Sequence, residues 1–370
     1  MEFQLIDMKV IVAPITNDTK SQHKYFIEEI SAKYVIENNK ITRTGIAEEN
    51  NKLINKLREA DSAGFIFFSS GSSGKPKAIL HNVNNLLKKY EKPRRQLKAV
   101  NFLMFDHLGG INTFLHIIFN CGTIIALENR NVKHVIDTCN KYQVQLLPTT
   151  PTFLRMLLLS GYIPNKIPES LKIITYGTES MDSHTLIELS RLLPNVQFRQ
   201  TYGLSEFNAF RIKSESNNSL YFKFSDDVKY KVEKRILYLK SSQRMMGYIN
   251  YDDPFDEDGW FKTNDLVDVK GEFLKIIGRN TDLINVGGLK FISKEVEDVA
   301  LTHEKILNVK VVGEKNPITG QHVKIIIELK DKILDKKELM KFFKEKLPSH
   351  MVPQQIVFDK IQISTRFKKK

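Results

Sequence analysis

The apolar run Gly64-Phe65-Ile66-Phe67-Phe68 passes directly into Ser69-Ser70-Gly71-Ser72-Ser73-Gly74-Lys75-Pro76-Lys77. A run with no polar face suits a strand buried on both sides, and the small residues that follow oblige the chain to leave it as a loop. From there to about residue 200, short apolar runs alternate with helix-patterned segments. Strands are expected at 102–105, 123–127, 144–147 and 171–175. Helices are expected at 111–119, 132–141, 151–159 and 183–192, the last with Asp182 or Ser183 as N-cap. Helices between strands imply crossover connections, hence a mainly parallel sheet covered on both faces.

Residues 219–277 carry denser strand signals with turns at Asp252-Asp253-Pro254 and Asp258-Gly259, so an antiparallel subdomain is expected there. Ahead of the loop, a strand at 9–15 and helices at 22–35 and 48–60 form a short leading part, residues 1–62. The last ninety residues read as helix 291–302, strands 309–313 and 323–329, helix 336–347 and strand 356–363. The expected fold class is therefore α/β. A large N-terminal domain, 1–280, combines a mainly parallel sheet with the antiparallel subdomain, and a hinge joins it to a small mobile α+β C-terminal domain, 281–370.

Composition removes several classes. At 370 residues and 41% hydrophobic content, the chain is long and apolar enough for a sizeable core and too apolar for disorder. Cys121 and Cys139 lack Cys or His neighbours at ligand spacing and are expected to be reduced core residues. Glu2 and Asp7 stand where a signal peptide would be basic and then apolar, and no uncharged apolar stretch reaches ~18 residues. A soluble, cytoplasmic protein with no membrane span is expected. The net charge of +13 suits nucleic acid, anionic lipid, polyphosphate ligands or an acidic partner. The charge is spread, its dense cluster being Arg366, Lys368, Lys369 and Lys370, and no aromatic-interleaved basic stripe accompanies it. Solvated lysine faces are the preferred reading over nucleic acid.

Four segments carry chemistry. In Ser69 to Lys77, small residues let backbone N–H groups approach phosphate oxygens, hydroxyls add donors and lysines add charge. Neither the Walker pattern nor GxGxxG is present, since Pro76 follows Gly74-Lys75. Thr201-Tyr202-Gly203-Leu204-Ser205-Glu206 places a ring, a glycine, a hydroxyl and a carboxylate within six residues, the parts that stack a purine, bond a phosphate and hold Mg2+. The others are Gly259-Trp260-Phe261-Lys262-Thr263-Asn264-Asp265 and Gly278-Arg279-Asn280-Thr281-Asp282-Leu283-Ile284-Asn285-Val286-Gly287-Gly288-Leu289-Lys290.

In this order the four segments resemble the adenylate-forming superfamily of acyl- and aryl-CoA synthetases, peptide-synthetase adenylation domains and luciferases. The resemblance covers residues 63 to 370, with Phe105-Asp106-His107-Leu108-Gly109-Gly110, Tyr176-Gly177-Thr178-Glu179 and Met246-Gly247-Tyr248 between the main motifs. It implies that Ser70, Gly71, Ser72, Ser73, Gly74 and Lys77 close over the β- and γ-phosphates. Gly177, Thr178 and Glu179 would line the adenine and acyl pockets, with Tyr202 stacking on the base beside Gly203. Ser205 would touch the α-phosphate, Glu206 would hold Mg2+, and Asp265 would bind the ribose beside Arg279. His107 would stand at the carboxylate end of the acyl pocket. Lys368 would bridge the substrate carboxylate and α-phosphate, Thr281 would be the hinge, and Gly287 and Gly288 would line the thiol tunnel.

Four positions depart from the family pattern: Ala78 after the loop lysine, Asn264 before Asp265, Thr281 at the hinge and Phe367 before Lys368. The segment ahead of the loop is also far shorter than the family's N-terminal subdomain. The resemblance implies an ATP-dependent acid–thiol ligase that forms acyl-AMP and pyrophosphate, then a thioester with CoA. An acyl carrier protein as thiol acceptor stays open, and so does a non-catalytic or one-step nucleotide-binding protein. A homodimer or partner subunit is expected to compensate for the short leading part.

Overall fold

The computed structural model describes residues 7–47, 50–69, 75–330 and 334–364. The chain divides into two units. The first comprises Met1–Glu128, Tyr202–Phe210 and Ser241–Gly259, and the second comprises Asn129–Thr201, Arg211–Lys240 and Trp260–Lys370.

In the first unit, Gly64–Ser69 lies between Ile11–Val12, its parallel neighbour, and Lys77–Asn82, its antiparallel one, with Gly247–Tyr248 next in order. The apolar run is continuous because both faces are covered, as expected. Phe65 and Phe67 pack with Val83, Leu86 and Leu108, whereas Ile66 and Phe68 pack with Phe26, Leu57 and Leu80. Alternate side chains of one strand thereby supply two cores.

The helix Lys52–Glu59, N-capped by Asn51, lies directly on the sheet. A Cβ on Gly64 would come 2.7 Å from Leu57 Cδ2, and one on Gly247 would come 2.9 Å from Leu53 Cδ1. Two glycines in the sheet thus admit two leucines from one helix face. The same unit holds the parallel pair Lys98–Val100 and Thr123–Ile125, connected through the helix Leu108–Phe119.

Three expectations fail in this unit. Residues 102–105 do not form a strand; the strand is Lys98–Val100. The apolar residues after it turn across the start of the following helix, where a Cβ on Gly110 would come 2.0 Å from the Met104 carbonyl oxygen, and Phe105 meets Phe114 edge-on. The helix expected at 22–35 runs only over His23–Glu29. Tyr34–Glu37 and Lys40–Arg43 instead form a hairpin, turned by Asn38 and Asn39 at φ 49° and 63°. Two central residues at positive φ are what a two-residue hairpin needs, and Asn tolerates that region. Cys139 is buried, but Cys121, at φ 55°, is exposed rather than a core residue.

In the second unit, Leu146–Thr149, Ile173–Tyr176 and Gln197–Gln200 are parallel. The helices Pro151–Leu159 and Ser183–Leu192 connect them, with the bounds expected from sequence and with Asp182 as N-cap. A six-stranded antiparallel sheet follows, in the order Ile212–Ser214, Phe222–Phe224, Phe273–Arg279, Phe261–Lys270, Ile236–Lys240, Lys229–Glu233. The C-terminal sheet pairs Ile306–Asn316 with Gly320–Leu329, and Gln355–Phe358 adds in parallel. The helices Ser293–Ala300 and Lys336–Lys346 close its core through Val296, Ala300, Leu339 and Phe343. The fold class is α/β, with a parallel region, an antiparallel subdomain and a small α+β C-terminal part.

Candidate active site

In the first unit, Lys77 opens the strand that returns from the Gly/Ser loop. Its ammonium stands 4.7 Å over the Tyr248 ring centroid and 5.6 Å over that of Tyr251. The Tyr248 hydroxyl donates to Glu206 Oε1 at 2.8 Å. Burial, and then the Glu206 carboxylate, raise the Tyr248 pKa, so the phenol stays protonated and remains a donor. A cation and a carboxylate from distant parts of the chain therefore meet on one tyrosine, the cation on the face and the carboxylate at the hydroxyl.

The stem of the loop is pinned by its surroundings. Asn250 accepts from the Ala78 N–H at 2.9 Å and donates to the Pro76 carbonyl at 3.0 Å. The hydroxyls of Tyr25 and Tyr251 donate to the carbonyls of Pro76 and Lys75, each at 3.4 Å. Ser70 to Gly74 lie outside the described residues.

The turn bearing Ser205 and Glu206 is closed by a bridge between Gly203 and Ala209. A Cβ on Gly203 would come 2.8 Å from Ala209 Cα, so only glycine permits that approach. Tyr202 is buried and stacks on Phe210 with centroids 6.1 Å apart. His81, 1% exposed, donates from Nε2 to the Ser205 carbonyl at 2.7 Å. Burial pulls its pKa down to about 4, against the opposing effect of that bond, and the imidazole is neutral at pH 7. His107 precedes the helix Leu108–Phe119, with Nε2 3.5 Å from Asp106 Oδ1, whose other oxygen accepts from Thr16 Oγ1 at 3.0 Å.

In the second unit, Gly177 ends the strand Ile173–Tyr176, where a Cβ would come 2.1 Å from Thr201 Oγ1. Thr178 has φ 70°, and Glu179 Oε1 accepts from the Thr152 N–H at 2.7 Å, on the first turn of the helix Pro151–Leu159. Asp265 is buried, and Arg279, its partner across the antiparallel pair, donates from Nε to Oδ1 at 3.2 Å. Asn264 adopts φ 60°. Asn is among the non-glycine residues that best accept this region, which accounts for the departure from glycine there. Thr281 lies in the 3-10 turn Asn280–Asp282 and donates to Asp282 Oδ1 at 3.1 Å. Gly287 and Gly288, at φ 60° and 88°, form the two-residue turn between Leu283–Val286 and Leu289–Ile292. Phe367 and Lys368 lie outside the described residues.

The structure thus brings Lys77, Ser205 and Glu206 together with Tyr248 and His81 in one unit, and Asp265 with Arg279 in the other. Motif reading missed Tyr25, His81, Asn250 and Tyr251. Their signal was weak, because His81 sits inside an apolar strand and each tyrosine reads as an ordinary core or surface ring. Among the described residues no group of three or more His, Cys, Asp or Glu could hold a metal ion by itself. A magnesium ion carried by phosphates needs only one or two carboxylates, a demand that Glu206 fits.

The AMP-binding enzyme family matches residues 4–221, and the AMP-binding enzyme C-terminal domain matches residues 295–368. Rice 4-coumarate–CoA ligase-like 3 is 23% identical over 337 residues, covering 80% of this chain and 57% of the relative. A long-chain-fatty-acid–CoA ligase of Salmonella typhimurium is 26% identical over 331 residues, covering 81% of this chain and 58% of the relative. The chain therefore spans under three-fifths of the length of these two relatives. The crystal structure of ATP-bound MatB from Rhodopseudomonas palustris superposes with a TM-score of 0.73 at 19% identity, covering 82% of this chain and 65% of that one.

Proposed function

The chain belongs to the AMP-binding enzyme family, and from that premise we propose that it is an ATP-dependent carboxylate ligase. A carboxylate oxygen of the substrate attacks the α-phosphorus of ATP, the bond to the β-phosphate oxygen breaks, and pyrophosphate leaves. A thiol then attacks the acyl carbon of the acyl-AMP, and AMP departs as the thioester forms. CoA is the proposed acceptor. A cytoplasmic location, where both ATP and CoA are available, is part of this proposal.

The observation that carries this reading is the meeting of Lys77 and Glu206 on Tyr248. A weak nucleophile attacking an anionic phosphate needs positive charge and exact placement more than it needs acid–base chemistry. Lys77 offsets the charge of the β- and γ-phosphates, and Ser70 to Gly74 supply N–H and hydroxyl donors to their oxygens. Ser205 meets the α-phosphate, and Glu206 would hold Mg2+, which would lower the charge repulsion at phosphorus. By resemblance to the family, Tyr202, Gly177, Thr178 and Glu179 are proposed for the base, Asp265 and Arg279 for the ribose, and His107 for the substrate carboxylate. Residues 281–370 rotate about Thr281 between the two steps, exchanging Lys368 for the Gly287-Gly288 turn.

The test is release of pyrophosphate from ATP and Mg2+ across a panel of carboxylic acids. Lys368→Ala should impair adenylation while sparing thioester formation from supplied acyl-AMP, and an unaffected first step removes Lys368 from its role. The +13 charge favours a second acceptor, the phosphopantetheine arm of an acidic carrier protein. Comparing CoA with a loaded carrier as thiol donor separates the two. A second subunit completing the acyl pocket is the proposed assembly, and a fully active monomer by light scattering would refute it.

A further inference from the structure

Residues 88–98, Lys-Lys-Tyr-Glu-Lys-Pro-Arg-Arg-Gln-Leu-Lys, hold six basic side chains against the single acid Glu91. Lys88, Lys92, Arg94, Arg95 and Lys98 are exposed. This run is a second basic cluster, distinct from the C-terminal one that the motifs single out.

The segment runs against the C-terminal end of the helix Leu108–Phe119. Tyr90 stacks on Phe119 with ring centroids 5.5 Å apart, the Arg94 N–H donates to the Asn120 side chain, and Gln96 Nε2 donates to the Cys121 carbonyl at 2.5 Å. At this helix end Ile118 is 39% and Phe119 43% exposed.

Compensation of the helix end explains little of this charge. A helix C-terminus carries the equivalent of roughly half a negative charge, which one cation offsets. A solvated lysine face also fits poorly, because such a face has no need of two adjacent large apolar side chains. Long cationic side chains beside exposed aliphatic and aromatic groups are the composition of a surface that sits at a lipid interface.

We propose that this surface docks on an anionic bilayer, with Ile118 and Phe119 entering the headgroup region and the basic residues meeting lipid phosphates. Each Lys or Arg near such a surface strengthens binding about fivefold, so the run is large enough to localise the protein. The contact is peripheral: among the described residues no helix is long and apolar enough to cross a membrane. None of these residues belongs to the nucleotide constellations, so the inference stands apart from the catalytic reading.

The experiment is co-sedimentation of the full chain with vesicles of phosphatidylcholine alone and of phosphatidylcholine mixed with phosphatidylglycerol. The protein should pellet with the mixed vesicles only, and less as salt rises. The triple variant Lys88→Glu/Lys92→Glu/Arg95→Glu should bind at least on the order of a hundredfold more weakly. Ile118→Gln, which removes the apolar side chain without adding negative charge at the helix C-terminus, should also weaken binding, with the circular dichroism spectrum unchanged. Equal pelleting with both vesicle types, none with either, or undiminished binding of the triple variant overturns the proposal. Retention by RNA or by an acidic protein without vesicle binding overturns it as well.

Discussion

The Tyr248 hydroxyl donates to Glu206 Oε1 at 2.8 Å while Lys77 Nζ stands 4.7 Å over the same ring. Tyr248→Phe keeps the ring under Lys77 and removes the bond that orients Glu206. A hydrogen bond to a charged group contributes about 1.5–3 kcal/mol, so carboxylate-dependent pyrophosphate release should fall by roughly tenfold or more. The loss should appear as a higher Mg2+ requirement. Tyr248→Leu, which also removes the cation–π contact, should lose more, and an unaltered Mg2+ titration in Tyr248→Phe would contradict the orienting role.

His81 links stability to pH. Its folded pKa of about 4 lies below the ordinary histidine value of 6.5, so between these values the unfolded chain binds a proton that the folded chain does not. Stability contributed by neutral His81 is therefore full above pH 6.5, falls as pH drops at up to about 1.4 kcal/mol per unit, and levels off below about pH 4. His81→Gln retains an N–H donor for the Ser205 carbonyl and does not titrate. Urea unfolding at pH 7, 6 and 5 should show a shallower pH dependence in His81→Gln than in the wild type.

Gly177→Ala should destabilise the second unit. Its Cβ would come 2.1 Å from Thr201 Oγ1 and 2.7 Å from the Thr201 carbonyl oxygen. Overpacking of this kind costs about 1–3 kcal/mol. Adding Thr201→Ala should recover only part of the loss, because the backbone oxygen remains, and full recovery in a denaturant titration would contradict this geometry.

Asn264 offers a conformational test. At φ 60°, Asn264→Gly should leave stability nearly unchanged, whereas Asn264→Val should cost about 1–2 kcal/mol. Nucleotide affinity should follow the same order, since Asn264 sets the backbone ahead of Asp265. Equal stability of the two variants would show that the backbone is not held there.

Much of this was legible in the sequence because it depends on short-range chemistry. The buried strand Gly64–Ser69, the helices Pro151–Leu159 and Ser183–Leu192 and the Asp182 cap follow from periodicity and capping residues. The motif glycines were found by residue type, and the reason for Gly177 and Gly203, contact with Thr201 and Ala209, needs three dimensions. The hairpin Tyr34–Arg43 was missed although Asn38-Asn39 is a turn signal, because the residues before it also fit a helix. Tyr248 was legible only as part of Met246-Gly247-Tyr248, with no role attached, and Asn250 and His81 were not legible as site residues. Their roles come from hydrogen bonds spanning 42, 172 and 124 positions, which no local pattern records.

The most direct test of the account is carboxylate-dependent pyrophosphate formation from ATP and Mg2+, measured for the wild type and Glu206→Gln. The account predicts that at least one carboxylic acid drives pyrophosphate release in the wild type and that Glu206→Gln reduces it by at least tenfold. ATP binding with no pyrophosphate formed across a broad acid panel would contradict it, and would identify the chain as a nucleotide-binding protein rather than a ligase.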